Sequence, residues 1–133
     1  MIYTICIGSN EHRKENLALA RKRLIELYPD IRFSAEMDTE PLFFRRPALF
    51  SNQVARFASD DNAEEVTLRL KAIEREAGRM PEEKKREIVR LDIDLLSCDG
   101  KVLRPKEMKR DYICRGMREL ERLRSIVEEN IVK

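Results

Sequence analysis

Apolar and polar positions alternate along the chain in two rhythms. The opening run, IYTICIG, is β-prone and ends at Gly8, and Ser9 and Asn10 after it suit a turn or a helix cap. From Lys14 to Tyr28 the apolar residues Leu17, Ala20, Leu24, Leu27 and Tyr28 recur at helical spacing until Pro29 stops the pattern. IRFSAEMDT and LFSNQVARFAS then read as two strands, joined by a loop that carries Pro41, Pro47 and the aromatic pair Phe43 and Phe44. The next helix has the clearest signals. Asn62 can cap it with Glu65 three residues on, Val66, Leu70, Ile73 and Ala77 form one stripe, and Gly78 ends it. A polar loop, RMPEEKKRE, leads to VRLDIDLLSCDG, which reads as a strand. From Tyr112 to Val132 the pattern is helical again, with Met117, Leu120, Leu123 and Val127 on one side.

Strand, helix, strand, strand, helix, strand is the β-α-β-β-α-β order of the ferredoxin-like fold, here with an added C-terminal helix. The expected architecture is therefore α+β: one antiparallel sheet with helices on one face and the other face open. At 133 residues, with no linker or repeat, the chain reads as a single domain over 1–133.

Within VRLDIDLLSCDG the alternation raises a chemical question. Leu91, Ile93 and Leu95 can face a core, which leaves Asp92 and Asp94 side by side on the opposite face, about 7 Å apart at their Cα atoms. Two close carboxylates repel, and burying either is costly, so the arrangement persists most easily where cations hold it. Magnesium takes one or two carboxylates and shares its remaining positions with water and substrate phosphates. The following stretch, Lys101 to Arg118, is basic: Lys101, Arg104, Lys106, Lys109, Arg110, Arg115 and Arg118 stand against Glu107 and Asp111. Positive groups beside a carboxylate pair point to a magnesium-bridged polyphosphate.

Composition narrows the field. A charged fraction of 39% predicts a heavily solvated surface, and no stretch approaches a membrane-spanning length, so the cytoplasm is the expected location. A net charge of +2 is too small for wholesale nucleic-acid binding, and no aromatic-rich strand suits an RNA-binding sheet. Cys6, Cys98 and Cys114 lie far apart and read as reduced thiols rather than metal ligands. His12 is the only histidine, which leaves a zinc site or a histidine-based triad without material. His12 itself is expected at the surface.

The ordered combination of IGSN, NLALA, DTEPL, FSNQVARF, IEREAGR, RLDIDLLSCDG and RDYICRGMREL, from Ile5 to about Leu120, resembles the 6-hydroxymethyl-7,8-dihydropterin pyrophosphokinase family. These folate-pathway enzymes move a diphosphate from ATP to a pterin alcohol, and their ferredoxin-like fold agrees with the element order. The resemblance implies that Asp92 and Asp94 hold two magnesium ions and that Arg79 and Arg110 contact the nucleotide phosphates. It implies that Phe50 and Asn52 recognise the pterin, that Thr39 and Leu42 line its pocket, and that Tyr112 takes its other face. A flat heterocycle suits aromatic faces, and an amide offers both donor and acceptor to its edge.

The chain also departs from the family pattern. The usual tryptophan and Gly-Pro-Arg before the aspartate strand are absent, with Val89 where that arginine would stand. Pro81 replaces a second arginine, Lys106 replaces a histidine, and the first loop lacks Gly-Asp. Lys85 and Lys106 are the expected electrostatic substitutes at the phosphates, together with Arg86 and Arg90, although an ammonium is not a bidentate guanidinium. The expected partners are ATP and hydroxymethyl-dihydropterin, bound by a monomer. The alternative is a nucleotide- or pterin-binding protein that kept the fold and lost turnover.

Overall fold

The computed structural model describes residues 1–41 and 44–132, with side chains as far as residue 124. In chain order the elements are β1 (Ile2–Ser9), α1 (Arg13–Leu27), β2 (Arg32–Phe33), β3 (Met37–Thr39), β4 (Phe50–Ala58) and α2 (Ala63–Glu76). A 3-10 turn over Pro81–Arg86 follows, then β5 (Asp92–Cys98), β6 (Lys101–Val102), α3 (Pro105–Met108) and α4 (Asp111–Val132). The sheet runs β2-β4-β1-β5-β6, with β3 also on β4, and every pairing is antiparallel. The strands flanking α1 are separated by β4 and those flanking α2 by β1, which is the α+β ferredoxin-like connectivity.

Local chemistry explains the boundaries. Asn62 caps α2 by accepting the Glu65 N–H at 2.8 Å, and Gly78 leaves the helix with φ 91°. The second predicted strand is split into β2 and β3, because side chains interrupt the ladder between them. The Ser34 hydroxyl accepts the Val54 N–H at 2.9 Å, and the Glu119 carboxylate accepts the Ala35 N–H at 3.0 Å. The polar loop after α2 contains a turn because Pro81 starts it and the Glu83 carboxylate takes the Met80 N–H at 3.1 Å.

Alternation along the strands assigns two faces. Tyr3, Ile5 and Ile7 of β1 and Leu91, Ile93 and Leu95 near β5 bury themselves against Leu17 and Leu24 of α1 and Val66, Leu70 and Ile73 of α2. Each such aliphatic side chain contributes about 1.5–3 kcal/mol on leaving water.

The opposite face is not open, as the sequence reading expected. α4 covers part of it, where Ile113 and Leu120 pack on Val54 of β4 and Leu96 of β5. Leu96 continues the alternation from Asp92 and Asp94, so the carboxylate row becomes apolar where the helix crosses. Gly116 permits the close approach: a Cβ there would stand 2.6 Å from Val54 Cγ2. Leu123 is exposed, and the side chain of Val127 lies outside the described residues. His12 is exposed and the three cysteines are free and partly buried.

Candidate active site

The uncovered end of the second face holds the polar residues. In the register of β5 on β1 and of β1 on β4, Asp92 lies opposite Gly8 and Gly8 opposite Asn52, while Asp94 lies opposite Cys6 and Cys6 opposite Val54. One row of the sheet is therefore carboxylate, glycine, amide, and the next passes from carboxylate to the apolar patch under α4. Here a cavity of about 350 Å³ opens, within the size range of small-molecule sites.

One end is formed by Thr39 of β3, by Phe50 and Asn52 of β4, and by Glu40 and Phe44 between them. Asn52 is buried, and its amide donates to Thr39 Oγ1 at 2.8 Å and to the Met37 carbonyl at 3.3 Å. Its Oδ1 lies 3.3 Å from where a Gly8 Cβ would stand, so any side chain at that position would crowd this oxygen. Phe50 lines the wall with Phe44, their rings 5.5 Å apart, and Tyr112 faces the cavity from the first turn of α4. Arg110 Nη1 donates to the Tyr112 hydroxyl at 3.2 Å, and this bond raises the arginine's pKa.

At the other end the carboxylates are unequal. Burial, then the charge of Asp92, pushes the Asp94 carboxyl up to about 7. Burial also works against ionisation of Asp92, but hydrogen bonds from Asp94 and Arg79 outweigh it and hold that group below the usual carboxylate range. Arg79 Nη1 is held three ways: by Asp92 Oδ1 at 2.9 Å, by the Leu91 carbonyl at 3.2 Å and by Glu74 Oε1 at 3.2 Å. Arg104 Nη2 reaches Asp94 Oδ1 at 3.4 Å. The Cys6 thiol stays protonated, pushed up by burial and then by both aspartates.

The pair fits magnesium. Its donors are hard oxygens, its mutual repulsion is what a divalent cation relieves, and no third histidine, cysteine or carboxylate joins it as a metal-binding group among the described residues. The remaining coordination positions are left to water and substrate oxygens.

A second cavity, about 590 Å³, lies along the outer side of β5. It is lined by Leu68, Leu70 and Lys71 of α2, by Ile93 to Leu95, and by Leu103 and Arg104. Asp94 lines both cavities.

The first cavity gathers Thr39, Phe50, Asn52, Arg79, Asp92, Asp94, Arg110 and Tyr112. Lys85, on the 3-10 turn, and Lys106, on α3, are exposed and line neither cavity, and Leu42 lies outside the described residues. Arg90 is turned to Glu83, with Nε 2.8 Å from its carboxylate, and Val89 lines the cavity wall instead. Sequence reasoning missed Glu74, and it had Arg104 only as part of the basic stretch and Phe44 only as part of the aromatic loop. Glu74 carried a signal: it sits beside Ile73 on the core side of α2, where a carboxylate needs partners. It is buried, and its Oε2 accepts the Ile93 N–H at 2.8 Å, between the two aspartates.

A search of curated proteins gave no match to this chain. The model of the 7,8-dihydro-6-hydroxymethylpterin-pyrophosphokinase family matches residues 4–122, nearly the whole length. No described helix is long and apolar enough to cross a membrane. The chain belongs to the 7,8-dihydro-6-hydroxymethylpterin-pyrophosphokinase family, the ATP-dependent diphosphokinases of folate biosynthesis.

Proposed function

We propose that this chain carries out the family's transfer in these two cavities, with the pterin alcohol in the first and ATP in the second. The observation that carries the reading is that Asp94 borders both, so the substrates meet at the carboxylate pair. The first cavity offers aromatic walls and an amide edge, as a flat polar heterocycle requires. The second combines apolar Leu68 and Leu103 with cationic Lys71 and Arg104, as a nucleobase with phosphates requires.

Phe50, Asn52, Thr39, Leu42 and Tyr112 hold the pterin with its hydroxymethyl group toward Asp94. Arg79 and Arg110, from the first cavity, bind the β- and γ-phosphates where these reach past Asp94, and Lys85 and Lys106 add positive charge from outside. Asp92 and Asp94 would hold two magnesium ions, which when bound supply charge stabilisation for the phosphate oxygens. The alcohol oxygen bonds to the β-phosphorus, the bond from that phosphorus to the α–β bridging oxygen breaks so that this oxygen leaves with AMP, and the alcohol's proton passes to solvent. The chain's part in this is positioning and electrostatics. The chain acts as one domain over 1–133 and as a monomer, and its three free thiols suit the cytoplasm.

The test is turnover with ATP, hydroxymethyl-dihydropterin and magnesium, with both products followed by chromatography. Equal AMP and pterin diphosphate, abolished by a chelator, is the expected result. Binding of both ligands without either product would replace this reading with the binding-only one.

A further inference from the structure

The two arginines at the carboxylate pair are held differently, and the difference assigns them different tasks. Arg79 is fixed by Asp92, the Leu91 carbonyl and the buried Glu74, which is itself anchored to the Ile93 N–H. A cation arriving at Asp92 would leave two of those three acceptors in place. Arg104 has one ion pair among the described residues, to Asp94 at 3.4 Å, and its side chain is 46% exposed while that of Asp94 is 19% exposed. No side-chain cap bond ties it to α3, which it precedes. It therefore sits against the less exposed carboxylate but has nothing else to hold it there. It also lines the second cavity, on the other side from Lys71, which is paired 3.4 Å from Glu74.

We propose that Arg104 is a transferable phosphate clamp: it rests on Asp94 in the free protein and passes to the nucleotide's phosphates when a divalent cation takes its place on that carboxylate. The inference rests on the reading that the second cavity takes the nucleotide, and it gives the phosphate contact to a residue other than Lys85 or Lys106. A cation on Asp94 repels the guanidinium that shares the carboxylate, and the incoming phosphates offer the same fork a bidentate partner. The exchange costs little, because Arg104 leaves only one contact behind. A lysine at this place would satisfy the first state but not the second, since its ammonium lacks the planar fork.

This predicts two changes of opposite sign, which a merely structural role would not produce. In Arg104→Ala, manganese as a probe for the bare site, read by water-proton relaxation without nucleotide, should bind several-fold more tightly than in the wild type, because its competitor is gone. In the same variant a non-hydrolysable ATP analogue with magnesium, read by calorimetry, should bind about tenfold more weakly, the loss of a charge-assisted hydrogen bond. Arg104→Lys should restore the wild-type manganese affinity and leave the nucleotide affinity low, and it serves as the control if the alanine variant folds poorly. Equal or weaker manganese binding in Arg104→Ala, or nucleotide binding within twofold of the wild type, overturns the proposal. Failure of the wild type to bind the analogue would instead bring down the assignment of the second cavity, and this proposal with it.

Discussion

The two faces of the sheet are made by the same strands, yet they solve different problems. Toward α1 and α2 every inward position from Tyr3 to Ile7 is large and fully buried, and the space is filled. Toward α4 the same strand presents Thr4, Cys6 and Gly8, and the covering helix begins only at Asp111. One residue further along each strand thus separates a core from a cavity. The fold uses one face for stability and leaves part of the other for polar chemistry, because Val54, Leu96, Ile113 and Leu120 already anchor the helix that bounds the site.

The largest effect is expected at the carboxylates. Asp92→Ala and Asp94→Ala should each cut turnover at least a thousandfold, about 4 kcal/mol in the barrier, with the fold retained by circular dichroism. Near-normal activity at millimolar magnesium in either variant would detach the pair from the chemistry.

Next in size is stability across β1. Ile7→Ala on the filled face should cost about 2–5 kcal/mol in denaturant unfolding, from lost transfer energy and a cavity. Cys6→Ala, one residue away on the site face, should cost clearly less. Equal losses would mean that the second face is as tightly packed as the first.

Much of this contrast was legible in the sequence. The period-two pattern of VRLDIDLLSCDG separated Leu91, Ile93 and Leu95 from Asp92 and Asp94, and the Asn62 cap and Gly78 stop bounded α2 within a residue or two. What stayed hidden depended on contacts between segments far apart in the chain. That α4 would return to the sheet rests on Gly116 meeting Val54, and a glycine in a helical stripe does not name its partner. The break between β2 and β3 rests on Ser34 and Glu119 side chains replacing ladder bonds. Which cations reach the aspartates was equally invisible: Arg79 and Arg104 touch them, whereas Arg90, close by in sequence, is taken by Glu83.

Smaller effects refine the picture. Arg110→Ala should slow the transfer step about tenfold, or about 1.4 kcal/mol, in single-turnover measurements, with pterin affinity changed less; Lys106→Ala should be milder. If Lys106→Ala proves the more damaging, the exposed lysine and not the cavity arginine is the main clamp.

The smallest effect is on pH dependence without metal. The unfolded Asp94 carboxyl ionises near 3.8, whereas the folded one holds its proton to about 7. The folded state therefore binds more protons across that window, and this group's contribution to stability falls as pH rises from about 4 to 7. Asp94→Asn should flatten the fall and raise the melting temperature at pH 8 by a few degrees in chelator, while magnesium should stabilise only the wild type there. A wild-type melting temperature that rises through this window, with Asp94→Asn unchanged from it, would contradict the assigned shift.

If two separate cavities meet at Asp94, paired titrations of the two ligands will tell them apart. Pterin and a non-hydrolysable ATP analogue are titrated with magnesium into the wild type, Asn52→Ala and Leu68→Asp. Leu68 is 63% exposed on α2, so its change should spare the core. The account predicts that Asn52→Ala weakens the pterin by about 1–3 kcal/mol and leaves the nucleotide alone, and that Leu68→Asp does the reverse. If either variant weakens both ligands equally, or if Leu68→Asp leaves the nucleotide untouched, the division into two sites is wrong.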